Sequence, residues 1–231
     1  MSYGLIAKND SDGIQIDSTY RNFSLDQEND GESIVNAGGG LGIQNVAITS
    51  SPLVPLVLIR PNTNYFINIR AYVKSGNNFT HFGIASQASS TTSIDWRCYR
   101  ENRNASGESY GLLVYNSSGE LCFDSGKKYF RILAIETIDL AAPSVDTGPY
   151  KDITHSGVSD PFYILTPLPY YISTSALSSP PNYWLNFWTV GVKKLSSTSV
   201  RVGWFVFTNQ LVGHGALEGL NPTLKLLVCE P

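Results

Sequence analysis

Two stretches of this chain carry the same phrase at a fixed distance. Residues 3–23 read YGLIAKNDSDGIQIDSTYRNF, and residues 110–130 read YGLLVYNSSGELCFDSGKKYF. At an offset of 107 and without a gap, they share Tyr-Gly-Leu, a central Asn, an Asp-Ser pair and a closing Phe. Self-similarity at a fixed period is the signature of a repeated structural unit. We therefore expect a fold that is built in two related parts.

Two further blocks follow in the same order. Residues 55–61 (PLVLIRP) match residues 161–167 (PFYILTP) at an offset of 106. Residues 82–99 match residues 190–207 at an offset of 108. Three ordered blocks at nearly one offset predict an internal tandem duplication.

Composition and residue patterning favour an all-β fold. The chain has 20 Gly, 12 Pro and one Met, and it has few runs of good helix formers. The runs YGLLVYN and ELCFDS flank the turn residues SSG, which is typical of a β-hairpin. Residues 198–209 place Val200, Val202, Trp204 and Val206 on one face of a predicted strand.

Short strands between Gly, Pro and Ser clusters indicate antiparallel sandwiches. We predict two tandem β-sandwich domains, residues 1–105 and 106–231, joined by the polar stretch 100–109. The second domain carries an aromatic-rich insertion and a closing strand at residues 224–231, which we place beside the hairpin.

Charge and hydropathy exclude several classes of partner. The net charge is −3, and no stretch concentrates Lys or Arg, so we expect no nucleic-acid partner. No apolar run reaches 18 residues, and the first residues lack a signal-peptide core. We expect synthesis in a cytoplasm without membrane insertion. Cys98, Cys122 and Cys229 lack the spacing of a zinc site or a disulfide framework, so we expect buried thiols.

Metal binding is not expected, although the first copy of the repeated phrase offers a calcium-like loop. Asp10, Asp12 and Gly13 resemble the start of such a loop, but the Glu that an EF-hand loop needs at its twelfth position does not follow. The second copy replaces both aspartates with Ser117 and Gly119. A hairpin turn explains both copies, and we predict no metal and no cofactor. For Asp124 we predict a turn in which the carboxylate accepts backbone N–H groups.

Catalysis has little support in the sequence. The histidines His81, His155 and His214 lie apart from any nucleophile motif. Among the acids, pairs drawn from Asp95, Asp124, Glu136 and Asp160 could serve a glycosidase, but no motif selects one pair. We predict that the chain is not an enzyme.

Aromatic residues cluster in the second half of the chain. Exposed Trp and Tyr side chains anchor protein interfaces and stack on sugar rings, whereas buried ones fill a sandwich core. Core packing, a protein interface and a sugar site all remain open here. The candidate interaction surface consists of Tyr170, Tyr171, Tyr183, Trp184, Phe187 and Trp188.

The repeated phrase also resembles a known family. Met-Ser-Tyr-Gly-Leu, followed by N-x-x-x-G-x-x-x-D-S and an aromatic residue, is similar to the N-terminal phrase of small proteins from tailed bacteriophages. YGLLVYNSSGELCFDS is the closer of the two matches. The resemblance covers the two hairpins, about 45 of the 231 residues.

This resemblance implies a structural, non-enzymatic component of a phage tail tip, baseplate or tail fibre. Its location would be the virion tail, and its partners would be other tail proteins and further copies of itself. An alternative is a receptor- or carbohydrate-binding module that contacts a glycan or receptor on the host surface.

Overall fold

A computed structural model describes most of the chain and contains strands and turns but no helix among the residues it describes. Those residues are 6–8, 14–17, 22–35, 42–87, 91–101, 104–143, 148–167, 170–176, 183–212, 218–219 and 223–230. Only the backbone is described for residues 7–8, 14–17, 170–176, 183–186, 207–212 and 218–219. The predicted all-β class is confirmed.

The described residues form eighteen strands, and eight of them precede residue 102. These are β1 (Ile6–Lys8), β2 (Ile14–Asp17), β3 (Phe23–Ile34), β4 (Gly42–Ser51), β5 (Leu56–Pro61), β6 (Ile67–Ser75), β7 (Asn78–Ser86) and β8 (Thr92–Glu101).

The remaining ten strands follow residue 112. They are β9 (Leu113–Tyr115), β10 (Leu121–Asp124), β11 (Ile132–Ile138), β12 (Tyr150–Thr154), β13 (Phe162–Thr166), β14 (Tyr170–Ala176), β15 (Tyr183–Lys194), β16 (Ser199–Val212), β17 (Glu218–Gly219) and β18 (Leu224–Cys229).

Two large antiparallel sheets pack face to face as a β-sandwich. The six-stranded sheet has the order β11-β18-β13-β5-β8-β3. The eight-stranded sheet has the order β12-β16-β15-β6-β7-β4, with β14 beside β15 and β17 beside β14. Two separate hairpins, β1-β2 and β9-β10, precede the two sets of strands, as the repeated phrase predicts.

Both sheets contain strands from residues 1–105 and from residues 106–231. Both predicted domains therefore contribute strands to both sheets, and we call these two stretches the two halves of the structure. At the seam between the halves, β13 pairs with β5 through Tyr163 and Ile59, and β15 pairs with β6 through Val192 and Ile67.

The residues of β5 and β13 explain this joining. Leu58 and Phe162 are 0% exposed on the outer face, and Ile59 and Tyr163 are 3% exposed on the inner face. A strand that is apolar on both faces is poorly suited to a solvent-exposed sheet edge. Pairing β5 with β13 makes both strands central.

Further contacts tie the halves together. Arg60 Nη1 donates to the carbonyl of Asp160 at 3.2 Å, and its guanidinium lies 4.6 Å from the Phe162 ring centroid. On the eight-stranded sheet, the rings of Phe66 and Phe205 stack with their centroids 6.0 Å apart. A hydrogen bond, a cation–π contact and a pair of stacked rings therefore join the two halves at the seam.

The strand order repeats along the chain. Each half contributes a set of six strands to the two sheets. These sets are β3 to β8 in the first half and β11, β12, β13, β15, β16 and β18 in the second. In both sets the first, third and last strands belong to the six-stranded sheet, and the second, fourth and fifth belong to the eight-stranded sheet. The duplication itself stays a prediction from the sequence.

Two of the three matched blocks agree with this strand order. The repeated phrase aligns the two hairpins, and the Pro-bounded block aligns β5 with β13. The third block aligns β8 with β16, yet β8 lies in the six-stranded sheet and β16 in the eight-stranded sheet. β18 takes the position that β8 has in the first half, pairing with β11 and β13 rather than with the hairpin.

Apolar side chains fill the space between the sheets in each half. Val200, Val202 and Trp204 belong to the core of the second half, with Val206 packed against it, as their alternation predicts. The core of the first half is centred on Phe82 and Trp96, whose ring centroids are 5.3 Å apart.

Candidate functional site

The predicted aromatic surface does not hold for Trp188. Its side chain is 4% exposed within the core of the second half, so it is unavailable to a partner or a sugar. Phe187 is half-buried. A register shift between Phe187 and Trp188 in the β15-β16 ladder changes the alternation of side chains at this point.

The other four candidates lie on the β14-β15 ladder. Tyr170 pairs with Thr189, Tyr171 with Trp188, Tyr183 with Ala176 and Trp184 with Ser175. Their side chains lie outside the described part of the structure, so their role as an interaction surface stays a prediction. Among the described residues of the first half, no strand corresponds to β14, to the first part of β15 or to β17.

The β9-β10 hairpin uses most of the repeated residues to build itself. Asn116 Oδ1 accepts hydrogen bonds from the backbone N–H groups of Ser118 and Glu120, both at 2.9 Å. Gly119 closes this turn with φ +75°, a conformation that favours glycine. The central Asn and the turn Gly are therefore explained by the fold.

The Asp-Ser pair anchors the base of the hairpin. Asp124 is 2% exposed and accepts from the N–H groups of Ser106 at 2.5 Å and Gly126 at 2.8 Å, as predicted. Burial alone would raise the pKa of Asp124, but these hydrogen bonds lower it below its usual value. Ser125 Oγ accepts from Leu112 N at 2.8 Å. At Gly111, φ is +144° and a Cβ would lie 2.4 Å from Ser125 Oγ, so glycine is required.

Four large side chains of the same hairpin point to solvent instead. Tyr110 is 93% exposed, Leu112 46%, Leu113 44% and Tyr115 50%. We call these four residues the hairpin surface. Tyr110 and Leu112 belong to the Tyr-Gly-Leu that both copies of the phrase carry, and no packing in the core accounts for them. The sequence signal for this surface is the repetition of Tyr-Gly-Leu in both copies of the phrase.

Three of the four acids considered for catalysis, Asp95, Asp124 and Asp160, are engaged in structural contacts. Asp95 is 6% exposed and accepts four hydrogen bonds, from Gly31 N, Asn62 Nδ2, Arg60 Nε and Arg60 Nη2, at 2.6 to 2.8 Å. Burial opposes ionisation of Asp95, but these bonds outweigh it and lower the pKa. Asp160 pairs with Lys194 at 2.5 Å. We find an ion-pair network here rather than an exposed acid and base.

The described cysteines and acids also bear on the metal prediction. Cys98, Cys122 and Cys229 are free and buried, as predicted. Burial raises the pKa of Cys98 and of Cys229 to about 12, which suppresses the reactive thiolate. Within the described ranges, no three His, Cys, Asp or Glu side chains are grouped closely enough to hold a metal ion. The calcium-like loop at 9–13 and His214 lie outside those ranges.

His155 is a buried titratable group in the second half. It is 6% exposed, its ring centroid is 5.6 Å from that of Tyr163, and its Nε2 has no hydrogen-bond partner among the described residues. Burial lowers the pKa of His155, and the charge of Glu136 offsets only part of this effect. The folded chain therefore favours the neutral imidazole.

As the pH falls, we expect the protein to lose stability through His155 at a higher pH than that at which the carboxylates take up protons. The contribution is fully present above about pH 6.5, the pKa of an unfolded histidine, and is lost as the pH falls toward the lower folded value. Urea unfolding of the wild type at pH 7 and pH 5 should show this loss, and His155→Phe should flatten it. An unchanged pH dependence in His155→Phe would show that other groups cause it.

A cavity lies at the seam between the two halves, and we call it the seam cavity. Its volume is about 220 Å³, and its walls come from β5, β6, β13 and β15. The cavity is partly open to solvent, and exposed Thr166 belongs to its lining.

Comparisons with protein-family models, with curated proteins and with solved structures find no match to this chain. The described residues form no helix that is long and apolar enough to cross a membrane.

Proposed function

We propose that this chain is a non-enzymatic structural component of a bacteriophage tail tip, baseplate or tail fibre, which docks on other tail proteins through its hairpin surface. The proposal rests on the resemblance of the repeated phrase to phage tail proteins. The observation that carries it is the 93% exposure of Tyr110 in a motif whose Asn, Asp, Ser and Gly are used by the fold.

The chemistry of the hairpin surface suits a protein partner. Tyr is enriched in interfaces because its ring buries a large area while its hydroxyl can still find a polar partner. Tyr110, Leu112, Leu113 and Tyr115 lie on a short hairpin that is separate from both large sheets. Covering such a patch removes apolar area from water without disturbing the sandwich.

Copies of the chain would join at a different place, the outer edge of β11. The corresponding edge strand of the first half, β3, has two register shifts and the charged residues Asp26, Glu28, Asp30 and Glu32, which discourage edge pairing. β11 instead exposes Ile132 (44%), Leu133 (38%) and Ile135 (59%). Among the described strands β18 alone pairs with β11, so its other edge is available for a homo-oligomer.

Tests of the hairpin surface require virions. Tyr110→Ala combined with Leu112→Asp should change the free energy of unfolding by less than about 0.5 kcal/mol, because both side chains are exposed. Incorporation into virions should fall at least tenfold. Leu195→Asp, at a comparable 42% exposure away from the hairpin, is the matched control and should be incorporated normally. Normal incorporation of the hairpin variant would contradict the proposal.

Virions that lack the protein separate the proposal from its alternative. Virions that assemble normally without the protein but fail to adsorb to host cells would favour a receptor- or carbohydrate-binding module.

Sedimentation equilibrium tests the β11 edge. We expect the wild type to form oligomers and Ile135→Lys to be monomeric, because a buried lysine would oppose edge pairing. Ile43→Lys, on the edge strand β4 and 39% exposed, should behave like the wild type. A monomeric wild type would contradict the homo-oligomer.

A further inference from the structure

We infer that the seam cavity binds one small, uncharged apolar molecule of about the size of a single aromatic ring. The cavity exists because the halves meet at few points: each sheet crosses the seam through a single pair of Cα partners, Tyr163 with Ile59 and Val192 with Ile67. The inner faces therefore separate beside these pairs. The space between them is lined from both halves and both sheets.

The walls select the chemistry of the ligand. Val57, Ile59, Ile69, Leu165 and Val192 supply aliphatic surface, and no charged side chain lines the cavity within the described residues. A charged ligand would be left without a counter-ion in a desolvated site.

Two polar side chains in the wall are already engaged. Tyr72 Oη accepts from the backbone N–H of Val57 at 3.2 Å, and Asn68 Nδ2 donates to Thr189 Oγ1 at 3.2 Å. At these two groups, a water would find few of the two to four hydrogen bonds that hold a buried water in place. An apolar ligand gains the dispersion contacts and loses no hydrogen bond.

Volume sets the size of the ligand. An apolar cavity of about 150 Å³ is known to hold benzene. At about 220 Å³, the seam cavity has room for a benzene ring with a short alkyl substituent. Thr166, which is exposed and belongs to the lining, marks the side from which a ligand enters.

Benzene and toluene are suitable probes for this site. At ten times the dissociation constant, either probe should raise the Tm of the wild type by about 3 to 6 °C. In methyl NMR spectra, the signals of Ile59, Leu165 and Val192 should shift on titration. Those of Val46 and Ile94, in the core of the first half away from the cavity, should not.

Val192→Phe is the matched variant, because its ring fills the cavity and should abolish both the methyl shifts and the rise in Tm. If that variant does not fold, Val57→Met fills part of the space and should weaken binding at least fivefold. Titration of the wild type that leaves Ile59, Leu165 and Val192 unshifted would overturn the inference. So would shifts that persist unchanged in the filled variants.

Discussion

Asp95→Ala is expected to lower the free energy of unfolding by about 3 to 5 kcal/mol, as for other broken buried ion pairs. The substitution removes the acceptor of four hydrogen bonds and leaves the Arg60 guanidinium, with a side chain only 20% exposed, with only the exposed Asp30 carboxylate at 4.0 Å. The backbone N–H of Gly31 and the amide of Asn62 lose their partner as well. Urea unfolding at pH 7 measures the change.

Asp152→Ala is the matched control, because Asp152 also forms a two-bond pair with an arginine. Arg201 Nε and Nη2 donate to its carboxylate at 2.6 and 2.8 Å. The Asp152 side chain is 46% exposed, so solvent screens the pair, and we expect a loss of about 0 to 1 kcal/mol. Equal losses in the two variants would contradict a structural role for the Asp95 network.

Gly191→Ala is the second substitution with a large expected effect, because it acts at the seam. A Cβ at this position would lie 2.6 Å from Phe205 Cε1 and 2.8 Å from the carbonyl oxygen of Ile67. Ile67 belongs to the other half, so the methyl group would force β15 and β6 apart. We expect a loss of about 2 to 3 kcal/mol, at the upper end of the range for overpacking.

Gly83→Ala is its control in the same sheet. The nearest atom to a Cβ at Gly83 is Asn45 Oδ1 at 3.4 Å, which is close to ordinary contact. We expect a change below about 1 kcal/mol, because the alanine also reduces the entropy of the unfolded chain. A similar loss at both glycines would show that the seam is not tightly packed at Gly191.

The sequence was sufficient for the local structure of this fold. Turn residues at 116–119 and the alternation from Val200 to Trp204 depend on neighbours in the chain, and both were predicted correctly. The sharing of both sheets by the two halves was not predicted. The apolar run at 56–59 indicates a buried strand, but it fits the centre of a small separate sheet as well as the centre of a sheet that both halves share. The third matched block aligns β8 with β16, because both have the residue pattern of a buried strand. That pattern does not determine the sheet to which a strand belongs, and the two strands occupy different sheets.

The candidate sites also differ in how far the sequence could predict them. Asp124 could be assigned to a turn because one of its donors, Gly126, is only two residues away in the sequence. For Trp188 the sequence left core packing and an exposed surface open, because the clustering of aromatic residues alone does not fix which face each side chain occupies. The volume of the seam cavity depends on how distant strands pack, and no local pattern encodes it.

Calorimetry of the wild type and of Gly191→Ala tests most directly whether the two halves form one sandwich. The wild type should unfold in one transition whose calorimetric and van't Hoff enthalpies agree. Gly191→Ala should move that whole transition down by about 5 to 10 °C, since about 1 kcal/mol shifts the Tm of a chain this long by about 2 to 4 °C. Two resolved transitions, of which the substitution moves one and leaves the other in place, would contradict the account.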